Sequence, residues 1–120
     1  MDNCIFCKIA QGKAKARITQ QNKWAMAFVA KDETSKGHTL VIPKDHYESI
    51  FDIPKDCLQG VMELAQGLSR KLKAELGATG VNLLHASGKD AQQSVFHFHI
   101  HVVPRYPNDG LDLWIKSGIG

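Results

Sequence analysis

Three histidines alternate with apolar residues near the end of the chain, where segment 95–103 reads Val-Phe-His-Phe-His-Ile-His-Val-Val. Successive side chains of a β-strand point to opposite faces, so this segment predicts His97, His99 and His101 on one face. The other face is predicted to enter the core with Phe96, Phe98, Ile100 and Val102. Half of the chain's six histidines fall within five residues, which argues against a sheet surface that merely tolerates histidine.

Two kinds of chemistry suit such a row of imidazoles. Two or more rings can hold a catalytic metal ion that keeps an open coordination position for water. Alternatively, one neutral imidazole is a covalent nucleophile and its neighbours donate hydrogen bonds. The residues alone leave both possibilities open.

A second candidate site is the Cys-x-x-Cys pair formed by Cys4 and Cys7. Such a pair suits zinc, redox chemistry or two buried thiols. Redox pairs usually follow a strand and open a helix, and the three residues before Cys4 leave no room for that strand. A structural zinc ion needs two further ligands, for which histidines are the candidates. The third cysteine, Cys57, is expected to be a small core or surface residue.

The elements predicted to position these residues belong to an α+β domain built on an antiparallel sheet. Apolar residues at spacings of three and four predict a long helix over 55–76, with Asp52 and Pro54 at its start and Gly77 at its end. A short N-terminal helix is expected over 4–10. Five strands are predicted, over 17–19, 24–29, 38–42, 81–84 and 95–103, the last one ended by Pro104 and Pro107.

Composition narrows the class of protein. A chain of 120 residues with 43% hydrophobic and 22% charged residues predicts one globular domain over 1–120. The net charge of +3 is too mild to indicate a nucleic-acid groove, and no apolar run approaches the length of a membrane helix. With an odd number of cysteines and no export signal, the thiols are expected to be reduced and the protein cytoplasmic.

The triad segment resembles the signature of the histidine-triad family, His-x-His-x-His-x-x with x apolar, over residues 97–103. Its flanks, with Gln93 and Ser94 before it and Pro104 and Arg105 after it, are similar to the family's nucleoside phosphoramidase branch. Further blocks match the family in the same order, namely 4–9, 37–44 with His46, and 80–84. The resemblance covers nearly the whole chain.

This resemblance implies the histidine-triad fold, together with a reaction and a substrate. His99 would attack the α-phosphorus of a purine nucleoside phosphoramidate or adenylate, and water would then hydrolyse the nucleotidyl intermediate. His101 and Ser94 would donate to the nonbridging oxygens, with no catalytic cofactor. The implied nucleotide contacts are completed by Gln93, Ile5, Phe6, Phe28 and Asp32. A homodimer with a continuous sheet is also implied, with neither nucleic acid nor membrane as a partner.

Zinc is implied by the same resemblance. The family's zinc-carrying members use the cysteine pair, a histidine after the Pro-Lys segment and the first histidine of the triad. The corresponding residues here are Cys4, Cys7, His46 and His97. A zinc ion held by these residues would be structural, fixing the catalytic segment to the N-terminal segment.

The chain departs from the family pattern at three positions. Ala30 stands where relatives usually carry the aspartate that holds the ribose, with Asp32 two residues later, and Ala86 and Gln92 replace a usual Asn and Gly. These changes leave the nucleoside specificity open. Three other functions remain as alternatives to the phosphoramidase: a dinucleoside polyphosphate hydrolase, a nucleotide-binding regulatory module, and a hydrolase whose triad binds a catalytic metal.

Overall fold

Five antiparallel strands form one sheet with a helix on each face, as the computed structural model of the chain describes for residues 3–116. The helices are α1 (Ile5–Ala10) and α2 (Lys55–Leu76). The strands are β1 (Ile18–Gln21), β2 (Ala25–Val29), β3 (Thr39–Pro43), β4 (Gly80–Leu84) and β5 (Ile100–Arg105), in the order β1-β2-β3-β5-β4. The predicted α+β fold is therefore confirmed.

Each face of the sheet packs against its own hydrophobic core. Successive side chains of a strand point to opposite faces, and apolar residues occupy both faces here. On one face Ala25, Ala27 and Val41 belong to a buried cluster that includes Val61, Leu64 and Leu68 of α2. On the opposite face, Met26, Phe28 and Ile42 cluster with Phe6 and Ile9 of α1. Strands buried on both faces explain why β2 and β3 show continuous apolar runs rather than strict alternation.

Helix α2 has the predicted bounds, and Gly77 ends it in the left-handed conformation at φ 73°. The predicted start was partly wrong, because the N-cap is Pro54 and no side chain caps the helix. Asp52 instead accepts hydrogen bonds from the amides of Glu48 and Ser49 at 3.1 and 2.8 Å, which closes the turn before the helix. Within residues 3–116, neither helix has the length and apolar content needed to cross a membrane.

The last strand differs most from its prediction, since it begins at Ile100 rather than at Val95 and continues through Pro104 to Arg105. Before it, the amide of Phe98 donates to the carbonyl of Tyr47 at 2.6 Å instead of joining the sheet. Pro104 fits inside the strand because pairing with β3 stops at Val102, so the missing N–H breaks no ladder bond on that side. Phe96, predicted in the core, is 47% exposed in this irregular segment.

Two glycines of α2 give a matched test of this packing. A Cβ at Gly60 would lie 2.4 Å from the Cβ of Trp24, whereas a Cβ at Gly67 would meet nothing within 4 Å. We expect Gly60→Ala to lower the free energy of unfolding by about 1–3 kcal/mol through overpacking. Gly67→Ala should raise it by about 0.5–1 kcal/mol through helix propensity. Urea unfolding of both variants measures the difference, and equal effects would contradict the close contact between Trp24 and α2.

Candidate active site and metal centre

The three histidines lie on the α1 side of the sheet, although 95–99 is not a strand. The Phe6 ring lies edge-on to His97 at 5.9 Å and to His99 at 5.2 Å between ring centroids. The ring of His99 is 5.2 Å from that of His101. Phe98, Ile100 and Val102 pack against α2 on the other side. The histidines predicted to share a face are therefore brought together.

His99 has the tautomer and accessibility of a nucleophile. Its Nδ1–H donates to the carbonyl oxygen of His97 at 2.8 Å, which leaves the lone pair on Nε2. Among residues 3–116, no group forms a hydrogen bond with Nε2. Every buried side-chain nitrogen or oxygen in these residues does have a hydrogen-bond partner, so Nε2 is not buried but accessible to solvent. Burial lowers the pKa of His99, with partial opposition from the hydrogen bond to His97, and favours the neutral ring.

His101 receives its tautomer through a relay that begins in the backbone. The amide of Thr34 donates to His38 Nδ1 at 3.1 Å, so the His38 proton lies on Nε2. His38 Nε2–H then donates to His101 Nδ1 at 3.0 Å, which places the proton of His101 on Nε2. Burial lowers the pKa of both rings, and with the nearby His99 and His38 it lowers the pKa of His101 to about 4. His101 Nε2–H is thus a fixed donor without a positive charge.

Two histidines of this arrangement were missed by the sequence reasoning. His38 lies two residues before Leu40, so their side chains point to the same face of the sheet, and Leu40 pairs with His101. This strand register is the signal that would have identified His38 as a neighbour of His101. His85, just after β4, contacts the carbonyl oxygen of His99 at 2.8 Å through Nδ1, and its Nε2 bonds to the hydroxyl of Ser87. His85 therefore holds the backbone of the candidate nucleophile.

The loop before the triad contains two predicted nucleotide contacts, Gln93 and Ser94, which differ in burial. Gln93 is buried, and its Oε1 accepts from the amide of Gly88 at 2.7 Å. Its Nε2 donates to the carbonyls of Glu48 at 2.6 Å and Val95 at 3.0 Å, so all the described contacts of this amide hold the loop in place. Ser94 is exposed and lines a surface cavity together with Ile5.

A second cavity, of about 620 Å³, lies between α1 and the start of the sheet. Its apolar walls include the predicted base contacts Ile5, Phe6 and Phe28, together with Ile9 and Leu40. We call this cavity the apolar cleft. Since Phe6 also touches His99, the cleft and the candidate nucleophile are adjacent. Asp32, the predicted ribose contact, is not among the lining residues, whereas Ala30 and Lys31 are.

The four predicted metal ligands form one cluster. The ligand atoms of Cys4, Cys7, His46 and His97 all lie within 4.8 Å of one another. Cys7 Sγ is 3.2 Å from His46 Nδ1 and 3.5 Å from His97 Nδ1, and Cys4 Sγ is 3.3 Å from His97 Nδ1. Two sulfurs and two imidazole nitrogens at these separations suit tetrahedral zinc.

The tautomer of His97 supports the same assignment. Its Nε2–H donates to the carbonyl of Pro43 at 2.9 Å, so the lone pair lies on Nδ1 and faces both cysteines. Without a metal, burial and the neighbouring Cys4 raise the pKa of Cys7 to about 11. A bound cation would supply the charge that stabilises the thiolates. The donor set thus fits zinc, and the backbone of His97 joins this cluster to His99.

Comparisons with known proteins agree with this geometry. The HIT domain family model matches residues 11–108. A HIT family protein from Bacillus anthracis is 40% identical to this chain. The match covers 98% of this chain and 84% of the Bacillus anthracis chain, and the two structures superpose with a TM-score of 0.88. A zinc-bound histidine triad family protein from Mycobacterium smegmatis is 35% identical over 93% of this chain and 81% of its own, with a TM-score of 0.89.

A further relative is named by a specific activity. The adenosine 5′-monophosphoramidase of Saccharomyces cerevisiae is 35% identical over 102 residues, which are 85% of this chain and 62% of the yeast protein. The family match spans most of the chain, and the structural likeness extends through the triad and the sheet that carries it. The chain therefore belongs to the histidine-triad family.

Proposed function

We propose that this protein is a nucleotide hydrolase or transferase that cleaves purine nucleoside 5′-phosphoramidates through a nucleotidyl intermediate on His99. One observation carries the proposal. The neutral imidazole of His99, whose accessible Nε2 has no partner in the described part of the chain, lies beside a second ring, His101, whose Nε2–H is fixed as a donor. This pairing suits attack on a phosphorus atom and stabilisation of its oxygens.

In the first step, the lone pair of His99 Nε2 forms a bond to the α-phosphorus. The P–N bond breaks, and the amine leaves with its electron pair and takes a proton from solvent. His99 is then a cation whose Nδ1–H bond to the carbonyl of His97 stabilises the charge. His101 Nε2–H, and Ser94 when the substrate reaches it, donate to the nonbridging oxygens. Water then attacks the same phosphorus, loses a proton to solvent, and releases the nucleoside monophosphate and neutral His99.

We further propose a structural zinc ion, a homodimer and a cytoplasmic location for this protein. Zinc at Cys4, Cys7, His46 and His97 would be structural and would supply no step of the reaction. A homodimer is supported by β4, which forms one edge of the sheet. Its Val81 and Leu83 are 39% and 42% exposed, respectively. We place the protein in the cytoplasm, where its cysteines remain reduced.

Turnover tests the reaction directly. The purified protein is incubated with a fluorogenic adenosine 5′-phosphoramidate and, separately, with a diadenosine polyphosphate. We expect a higher kcat/KM for the phosphoramidate, because its amine leaving group needs no further phosphate contacts. A higher kcat/KM for the polyphosphate would favour the dinucleoside hydrolase. Nucleotide binding without turnover of either compound would make the protein a binding module and overturn the proposal.

The relay from His38 to His101 gives a separate prediction. In His38→Leu, His101 loses the group that fixes its proton on Nε2, so we expect kcat to fall by about 10- to 100-fold, less than the loss of a whole oxyanion donor. His38→Gln retains an N–H that can reach His101 Nδ1 and should recover part of the loss. Stopped-flow kinetics and thermal unfolding of both variants separate this effect from misfolding. Equal kcat values in the two variants would contradict the relay.

A further inference from the structure

The carbonyl oxygen of His99 is held by a side chain at the point where strand pairing ends. Strands β4 and β5 pair from Gly80 with Arg105 to Leu84 with His101, and the pairing then stops. The carbonyl of His99, just before β5, instead contacts Nδ1 of His85, just after β4, at 2.8 Å. Because a carbonyl oxygen only accepts, Nδ1 carries a proton and donates it. The backbone of the candidate nucleophile is therefore held by one imidazole.

Ser87 occupies the other ring nitrogen of His85. With the proton of the neutral ring on Nδ1, the Nε2 of His85 is an acceptor, and it bonds to the hydroxyl of Ser87. That hydroxyl also accepts from the amide of Ile50 at 2.8 Å. A hydroxyl that accepts from an amide still has its own proton, which it donates here to Nε2. The hydrogen bonds thus run in one direction, from the amide of Ile50 through both side chains to the carbonyl of His99.

Stacking fixes the plane of the His85 ring. Its centroid lies 4.4 Å from that of the Phe98 ring, with the two planes tilted by 33°. Phe98 is itself 1% exposed and belongs to the cluster that packs against α2. Although His85 is an exposed residue, the stacked ring and the hydrogen bonds at both nitrogens together keep Nδ1 directed at the His99 carbonyl.

His99 is thereby fixed at both its ring and its backbone. The ring is oriented by the bond from Nδ1–H to the carbonyl of His97 at 2.8 Å, and the peptide group that follows is oriented by His85. A misplacement of about 1 Å at a reacting group costs about 100-fold in rate. A residue that fixes this backbone therefore affects the rate without touching the reacting atoms.

From this chain of contacts we infer that Ser87 and His85 are positioning residues for the attack of His99 on phosphorus. The inference rests on the proposed function, because it concerns the alignment of the same nucleophile. Ser87 sets the tautomer of His85, and His85 sets the peptide group of His99. Neither residue exchanges a proton with the substrate, so their loss should slow the bond-forming step and leave nucleotide affinity unchanged.

Nuclear magnetic resonance of the ring nitrogens tests the relay without any need for turnover. Long-range proton–nitrogen correlation spectra distinguish a ring protonated on Nδ1 from one protonated on Nε2. We expect His85 of the wild type in the Nδ1–H form and a mixture of both tautomers in Ser87→Ala. The amide of Ile50 should also exchange faster with solvent in this variant, because it loses its acceptor. The Nε2–H form of His85 in the wild type would overturn the inference.

Kinetic variants measure the effect on the reaction. His85→Phe keeps a ring that stacks on Phe98 but has no donor, so we expect the single-turnover rate with the phosphoramidate to fall by about 10- to 100-fold. His85→Asn places an N–H near the position of Nδ1 and should recover part of this loss. Ser87→Ala keeps the imidazole donor and should lose less than His85→Phe. Lys89→Ala, which changes an exposed side chain of the same loop, is the matched control and should keep the wild-type rate.

Calorimetric titration of the same variants separates positioning from a general disturbance of the site. We expect the nucleoside monophosphate to bind each variant within about 3-fold of the wild type. If the wild type cleaves no phosphoramidate but shows the predicted tautomers, the proposed reaction fails and the relay stands. If the wild type is active and His85→Phe keeps its rate, or loses rate and nucleotide affinity equally, the reaction stands and the positioning role is overturned.

Discussion

His99→Ala is expected to lower kcat/KM for a nucleoside phosphoramidate by at least about 10³-fold, while the affinity for the nucleoside monophosphate changes by less than about 3-fold. In the proposed reaction the imidazole supplies the bond to phosphorus, so its loss removes the covalent route rather than a single stabilising contact. The apolar cleft, in which we propose that Phe6 and its neighbours hold the base, should remain intact in this variant. Single-turnover kinetics and calorimetric titration of the product measure the two quantities.

A chemical-rescue variant sharpens this test. His99→Gly leaves a cavity beside Phe6 and His101 that added imidazole can enter. We expect imidazole to restore a measurable fraction of turnover to His99→Gly and to leave the wild type unchanged. His85→Asn serves as the matched control, because the imidazole that it removes bonds to His99 through the backbone carbonyl and not through the His99 ring. Turnover of His99→Ala at the wild-type rate would exclude His99 as the nucleophile.

The second large effect concerns the metal centre. Cys7→Ala removes a buried residue of the proposed zinc site and should abolish stoichiometric zinc binding. A ligand present at about 1,000 times its Kd contributes about 4 kcal/mol to stability. For a domain of this size, such a loss corresponds to a fall in Tm of about 10 °C or more. Metal analysis and thermal unfolding of the same preparations measure both effects.

Cys57→Ala is the matched control, since Cys57 is also a buried cysteine but lies in the first turn of α2, outside the cluster. It should keep its zinc, and a chelator should lower its Tm and that of the wild type but not that of Cys7→Ala. If chelation abolished turnover at once while circular dichroism and Tm stayed the same, the metal would be catalytic. The structural assignment would then be wrong.

Local patterns predicted the elements whose determinants are local. The bounds of α2 followed from apolar residues at spacings of three and four and from the left-handed Gly77. The cysteine pair, His46 and His97 were predicted through the family resemblance to share a metal site, and the structure brings their ligand atoms together. The histidines of the triad share one side because the alternation continues from β5 into the segment before it.

The features that the sequence did not predict depend on residues far apart in the chain. Alternation over 95–103 does not reveal that the Phe98 amide donates to Tyr47, which keeps 95–99 out of the sheet and leaves Phe96 exposed. The relay joins His38 to His101 across 63 positions, so only the strand register discloses it. In the same way, Gln93 is committed to a loop through the carbonyl of Glu48, 45 residues earlier.

The central claim is that His99 Nε2 forms a bond to phosphorus during turnover. Rapid acid-free quenching of the enzyme with excess phosphoramidate, followed by intact-mass and fragment analysis, tests it most directly. We predict a transient mass increase of one nucleotidyl group, located on His99 and missing from His99→Ala. A nucleotidyl group on any other residue, or full turnover with no adduct at any quench time, would contradict the account.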